Sequence, residues 1–214
     1  SQSYEIADQL LLKNVKDAKN SRAMREISAR DWLNARSLLM SSRIQERVDA
    51  FKAQKLHFPL ELTPMFKAIR GDRLFRDFDE NGIPLDAYGF PFRYDAVSGM
   101  VTSHGADLRR SIQSVVIVRN MIEMFQRENQ SRNPATLQEL QAWVRTHYAN
   151  PQSSPTPAIT DALGIDLNVI DSPFGKAWDY DAASGVITLP PESDAKILFK
   201  NADRLMDEFA PELQ

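Results

Sequence analysis

The chain of 214 residues carries 26 Lys and Arg against 29 Asp and Glu, a formal net charge of −3, with 43% hydrophobic and 26% charged residues. That balance supplies enough apolar mass for one ordinary core or two small ones, and the totals do not suggest a strongly basic face for nucleic acid. There is no cysteine, which excludes disulfides and thiolate metal sites, and no run approaches the ~18 apolar residues of a membrane span.

Residues 4–55 contain neither proline nor glycine. Leu33, Met40, Ile44, Val48 and Phe51 recur at helical spacing, with Arg43, Glu46, Arg47 and Lys52 beside them. "KNSR" at 19–22 marks a break into two helices, with Ser21 as an N-cap. "HFP" at 57–59 stops the second, because a residue before proline is pushed out of the helical region. A short helix follows Thr63-Pro64, with Thr63 capping it and Pro64 in its first turn. A second apolar stripe runs through Ile112, Val115, Val118, Ile122 and Phe125. The C-terminal "ESDAKILFKNADRLMDEF" reads as an amphipathic helix with Ile197, Leu198, Leu205, Met206 and Phe209 inward.

Two phrases nearly coincide: "DAYGFPFRYDAVSG" at 86–99 and "SPFGKAWDYDAASG" at 172–185. The helical stripes share the repetition, since Ile44, Val48 and Phe51 stand a constant 74 positions before Val118, Ile122 and Phe125. Each stripe is followed by a proline, Pro59 or Pro134, and then by leucines. A variable stretch comes next, "GDRLFRDFDENG" in one unit and "NPQSSPTP" in the other. Within the closing phrase, Phe92 and Tyr94 alternate on one strand face, as do Trp178 and Tyr180, the pattern of a sheet laid over a helix. Asp95 and Asp181 open a turn, and Gly99 and Gly185 fall where a short hairpin loop needs positive φ. Gly89 and Gly175, beside bulky rings, point to a tight turn or a close backbone approach. A stable hairpin used twice accounts for each of these residues without any chemistry.

These residues resemble the heads of the major pseudopilins of type II secretion and related type IV pilin-like proteins. Those heads carry an Asp-Pro-Trp-Gly-Asn-Pro-Tyr-x-Tyr segment, a hairpin, and a Ser-x-Gly-Ala-Asp segment. In "DAYGFPFRY", Asp86, Tyr88, Gly89, Pro91, Phe92 and Tyr94 fall in register, and "SHGAD" at 103–107 is similar to the second segment. "SPFGKAWDY" keeps Pro173, Phe174, Gly175, Trp178 and Tyr180. "NPATLQEL" resembles the Tyr-Pro-x-x-Leu-x-x-Leu loop after the pilin helix. The resemblance implies an α+β fold of two tandem pilin-like modules, each a helix packed on a small antiparallel sheet, with a long N-terminal helical region and a C-terminal helix. The implied divisions are 1–30, a first module 31–107, a second module 108–191, and 192–214. It also implies a periplasmic, non-enzymatic structural or assembly protein, held at the inner membrane by a preceding segment. Its partners would be other pilin-like or secretion-apparatus proteins, and its doubled head suits an accessory or tip component.

For ions, Asp77, Asp79 and Asn81 alternate before Gly82 as oxygen ligands do in a calcium loop, with Asp86 as a late carboxylate. The twelfth position is Tyr88 rather than Glu, so an EF-hand is rejected, and a solvated acidic turn is the competing reading. In the family the calcium loop lies beyond Gly-Ala-Asp, so by resemblance only Asp107 carries over. His57, His104 and His147 are too dispersed for a local ligand motif. Ser103, His104 and Asp107 do not form a nucleophile set, since neighbours on a strand point to opposite faces. Asp179 and Asp181 share a strand face with no sign of a cleft. The basic-acidic face at 20–32 is solvated or docks a partner. Two other classes compete with the assembly reading: a soluble periplasmic ligand- or protein-binding module, and, with least support, a hydrolase.

Overall fold

The computed structural model describes residues 2–67, 69, 71–148, 178–188 and 195–208. Phe174, Gly175 and Phe209, together with the Pro- and Ser-rich stretch before them, lie outside the described residues, as does the side chain of Ile197. The order of elements is α1 (Gln2–Lys16), α2 (Arg22–Lys55), α3 (Thr63–Lys67), β1 (Phe92–Asp95), β2 (Met100–Ser103), α4 (His104–Glu128), α5 (Leu137–Tyr148), β3 (Asp179–Asp181), β4 (Val186–Thr188) and α6 (Ala195–Glu208). The class is α+β, helices with two separate two-stranded antiparallel sheets. Among the described residues no helix is long and apolar enough to cross a membrane. Contacts divide the chain into two compact units, residues 1–109 with 194–214, and residues 110–193, a boundary that falls within α4.

In unit one, α1 folds back antiparallel on α2. Val15 packs with Ala29, Asp8 pairs with Arg36 at 3.0 Å, and Glu5 pairs with Arg43. The start of α2 is local chemistry: Ser21 is extended (φ −60°, ψ 155°) and its hydroxyl accepts from the Met24 N–H, the N-cap that satisfies an otherwise orphaned donor. Helix α6 closes the same bundle, with Leu205 against Val15 and Ala29, and Trp32 and Met206 alongside. Further along α2, Met40, Ile44 and Val48 face Phe66, Ile69, Phe75, Phe92 and Val101. Each such side chain stabilises the fold by about 1.5–3 kcal/mol when fully buried. Phe51 is half-buried, its ring 5.6 Å from that of His57.

One helix boundary follows the sequence expectation and one differs. Helix α2 ends at Lys55, and Leu56 takes a left-handed conformation (φ 65°), its N–H donating to the Lys52 carbonyl. Thr63 does not cap α3. The Leu62 carbonyl accepts from the Met65 and Phe66 N–H groups, and the Thr63 hydroxyl donates to Glu61 at 3.4 Å. Apolar contact fixes this start, because Leu62 is buried and exposed Thr63 faces away from the core.

Unit two has its own core. Val115, Val118, Ile122 and Phe125 of α4 pack with Leu140 and Val144 of α5, Trp178, and Ile187 of β4. Helix α5 begins with a side-chain cap: the Thr136 hydroxyl accepts from the Glu139 N–H, and Glu139 reaches back to the Ala135 N–H, a reciprocal arrangement close to a capping box.

Candidate functional site

The two hairpins carry most of the residues singled out above, and the hydrogen bonds of their turns match one for one. In the first, Phe92, Arg93, Tyr94 and Asp95 pair with Ser103, Thr102, Val101 and Met100. In the second, Asp179, Tyr180 and Asp181 pair with Thr188, Ile187 and Val186. The Asp95 carboxylate accepts from the Val97 N–H at 2.9 Å and the Ser98 hydroxyl at 2.6 Å. Asp181 accepts from the Ala183 N–H at 3.0 Å and the Ser184 hydroxyl at 2.6 Å. Gly99 and Gly185 follow with φ of 72° and 70°, and their N–H groups return to the Asp95 and Asp181 carbonyls.

Each hairpin is also latched to the loop after its helix. The Tyr94 hydroxyl donates to the Pro59 carbonyl at 2.6 Å, and the Tyr180 hydroxyl donates to the Pro134 carbonyl at 2.6 Å. The residue before each proline lies on the turn glycine. A Cβ on Gly99 would enter the Phe58 ring, and one on Gly185 would stand 2.6 Å from Asn133 Oδ1. Asn133 itself donates to the Ala182 and Ala183 carbonyls. From the helix side, the Gln45 amide donates to the Gly99 carbonyl and accepts from the Val101 N–H. Arg119, 74 positions on, donates to the Ile187 carbonyl.

Unit one adds a buried carboxylate. Asp86 is 1% exposed. Its Oδ1 accepts from the Tyr88 and Phe90 N–H groups at 3.0 Å, and its Oδ2 accepts from the Ser103 hydroxyl at 2.5 Å and the Gly105 N–H at 2.9 Å. The Ser103 hydroxyl in turn accepts from the Ala106 N–H, an N-cap for α4. One carboxylate thus fastens the 86–90 loop, the end of β2 and the first turn of α4. Burial pushes this carboxyl above the ordinary range, and the Ser103 hydroxyl and three backbone N–H groups pull against it. Behind it sits Tyr88, 2% exposed, its hydroxyl pushed up to about 12 by burial, with Arg109 opposing. Arg109 also reaches the Arg30 carbonyl and Asp31. Gly105 lets the ring in: a Cβ there would lie 2.5 Å from Tyr88 Cβ. Gly89 (φ 87°) turns the chain beside it, and Pro91 bridges to Leu85.

The candidate calcium ligands have partners of their own in the structure. Asp79 closes its own turn, accepting from the Asn81 and Ile83 N–H groups, while Gly82 has φ 76°. Asp77 lies 4.0 Å from Arg204, and Asp86 points into the hydrogen bonds just described. Among the described residues no three His, Asp or Glu side chains are placed to hold a metal ion. Ser103 is engaged by Asp86 and Ala106, and the His104 ring packs on Phe90 at 4.7 Å, its imidazole held below the ordinary value by burial. Asp179 and Asp181 are exposed. Gln45, Arg119, Phe58 and Asn133 were not singled out from the sequence, whereas Gly105 belongs to the "SHGAD" segment. The 74-residue register that aligned the apolar stripes also aligns Gln45 with Arg119, and it was the signal available for that pair.

One consequence is measurable in solution. The Asp95 and Asp181 carboxyls lie below the ordinary range, held there first by the Ser98 or Ser184 hydroxyl and then by the Val97 or Ala183 N–H. A folded value below the unfolded one gives a contribution that is complete above the ordinary carboxylate pKa and lost as pH falls through the lowered value. A carboxyl NMR titration is expected to find both below the ordinary value, with Ser98→Ala and Ser184→Ala each moving its own aspartate upward. Unmoved titrations would remove the hydroxyl from the account.

No protein-family model matches the chain, and no curated protein or solved structure matches it either.

Proposed function

We propose that this chain is a non-enzymatic, pseudopilin-like assembly protein of a secretion or type IV pilus apparatus. In this reading it carries two tandem pilin-like heads, faces the periplasm, is tethered to the inner membrane by a preceding segment, and acts through contacts with other pilin-like or apparatus proteins. The observation that carries the reading is the doubled latch, in which a hairpin tyrosine donates at 2.6 Å to the carbonyl of the proline following the packed helix. Helix, proline loop and aromatic strand form one cooperative piece, and the chain makes that piece twice. The acidic groups in it have structural work: Asp86, Asp95 and Asp181 hold turns and caps. Catalysis by such groups would need one of them free to meet a substrate; Asp86 borders a cavity, but it is 1% exposed and its two oxygens accept from four donors.

Cross-linking in cells that express the full-length protein, followed by mass spectrometry, tests this. Pilin-like or secretion-apparatus subunits are expected among the linked partners. Capture of none of them, with the protein recovered free in the periplasm, would overturn it. A soluble binding module is the second reading, favoured by a cavity of about 560 Å³ in unit one whose wall includes Trp32, Leu33, Met40, Leu85 and Arg204. That volume falls within the range of small-molecule sites, and recovery of the free protein is the result this reading expects.

A further inference from the structure

We propose that the end of unit one formed by the α2 C-terminus and the β1–β2 turn inserts into a lipid surface. Three aliphatic side chains there stand almost wholly in solvent: Leu56 is 89% exposed, Leu60 88% and Val97 89%. Leu56 and Leu60 bracket Phe58, whose ring lies against Gly99 of the turn that presents Val97, so all three belong to one end of the unit.

The fold does not require them. The matching positions of unit two, 74, 75 and 86 residues on, are Gln130, Ala135 and Ala183, on the same latch and the same hairpin. Leu56 and Gln130 both take left-handed backbone, φ 65° and 56°, which disfavours any side chain and most often takes glycine or asparagine. Unit one therefore keeps an exposed leucine where neither packing nor backbone preference selects it. Isolated surface leucines are ordinary, but three together at protruding positions mark a contact.

The shape and size of this contact select the occupant. Three such side chains offer on the order of 300 Å² of apolar area, well short of the ~800 Å² per partner in a stable protein interface. They project from a helix end and two turns, forming tips rather than a groove, and tips of this kind enter a deformable apolar phase. Lys52 and Lys55 stand in the last turn of α2, with Lys52 Nζ 4.0 Å from the Phe58 ring centre, suitably placed for lipid phosphates. Asp49, Asp95 and Glu61 share this end and keep their charge while accepting hydrogen bonds from Gln45, their own turn and Thr63, so the apolar tips rather than net charge carry the contact. Because α1 runs antiparallel to α2, a segment preceding it leaves unit one toward this same end. That last point alone rests on the tethered reading.

Co-sedimentation of the 214-residue chain with phosphatidylcholine vesicles, with and without phosphatidylglycerol, tests the proposal. The wild type is expected to bind both kinds of vesicle. The variant Leu56→Gln/Leu60→Ala/Val97→Ala, which borrows the residues of unit two, is expected to bind roughly tenfold more weakly with an undiminished melting temperature. Wild type left in the supernatant, or a triple variant that binds equally, overturns it. So does a wild-type dimer in light scattering that the triple variant turns into monomer, since the tips would then form a protein interface. The assay needs no secretion partner, so its failure leaves the assembly reading standing, and a failed cross-linking experiment leaves this one standing.

Discussion

Replacing Asp86 by alanine is expected to destabilise unit one by about 4 kcal/mol or more, from about 1–3 kcal/mol for each buried donor left without an acceptor. Four donors converge on this carboxylate, and it is 1% exposed, so water cannot readily replace it. The loss reaches three segments at once, because the same oxygens hold the 86–90 loop, the end of β2 and the α4 cap. Asp86→Asn keeps one acceptor oxygen but turns an amide N–H toward the Gly105 N–H or the loop, and about half the loss is expected. Urea unfolding gives the total, and hydrogen exchange locates it: protection should fall in unit one and persist in unit two. The pH dependence has a fixed sign. Burial raises the folded-state value, so the contribution is complete below the ordinary carboxylate pKa and lost as pH rises through the raised value. The gap between wild type and Asp86→Asn should therefore be wider near pH 4 than near pH 8. An alanine variant within about 0.5 kcal/mol of wild type would remove Asp86 from the centre of the unit.

Asp86 also shows where sequence reasoning ran out. Acidic residues at 77, 79 and 86 with Asn81 have the spacing of oxygen ligands, and spacing alone cannot tell a carboxylate facing solvent from one facing four donors. Burial decides that, and burial arises from Tyr88 and Gly105, which come from opposite sides of the hairpin. What was legible depended on short range. An aspartate, a serine two to three residues on and then a glycine determine a turn almost by themselves, and Asp95, Ser98 and Gly99 do so in the structure. The stripes of α2 and α4 were equally plain, since helical spacing is a property of the segment. The return of α1 on α2 was not, because "KNSR" marks a break without a direction. The direction comes from Asp8 meeting Arg36 and Val15 meeting Ala29. Leu56 in left-handed backbone was hidden for another reason: leucine is not a residue that signals such a conformation.

Gly99→Val is expected to cost about 3 kcal/mol, and Gly185→Val about 2 kcal/mol. Both positions carry left-handed φ, 72° and 70°, where a side chain costs about 1–2 kcal/mol and a β-branched one sits toward the upper end. The surroundings separate them. At Gly99 the new Cβ enters the Phe58 ring, a bulky body wedged between Lys52 and the turn, and overpacking of that kind adds about 1–3 kcal/mol. At Gly185 it meets the amide end of Asn133, which can swing aside at the loss of its bonds to the Ala182 and Ala183 carbonyls. Denaturant unfolding of both single variants tests the order. A double-mutant cycle with Phe58→Ala tests the cause. If the ring is the obstacle, the cost of Gly99→Val falls in the Phe58→Ala background to the backbone contribution alone. If the cost is unchanged there, the turn conformation accounts for all of it and Phe58 is only a neighbour. Valine tolerated at both glycines within about 0.5 kcal/mol would mean that the two turns do not need the backbone they share, and the equivalence of the latched hairpins would lose its physical basis.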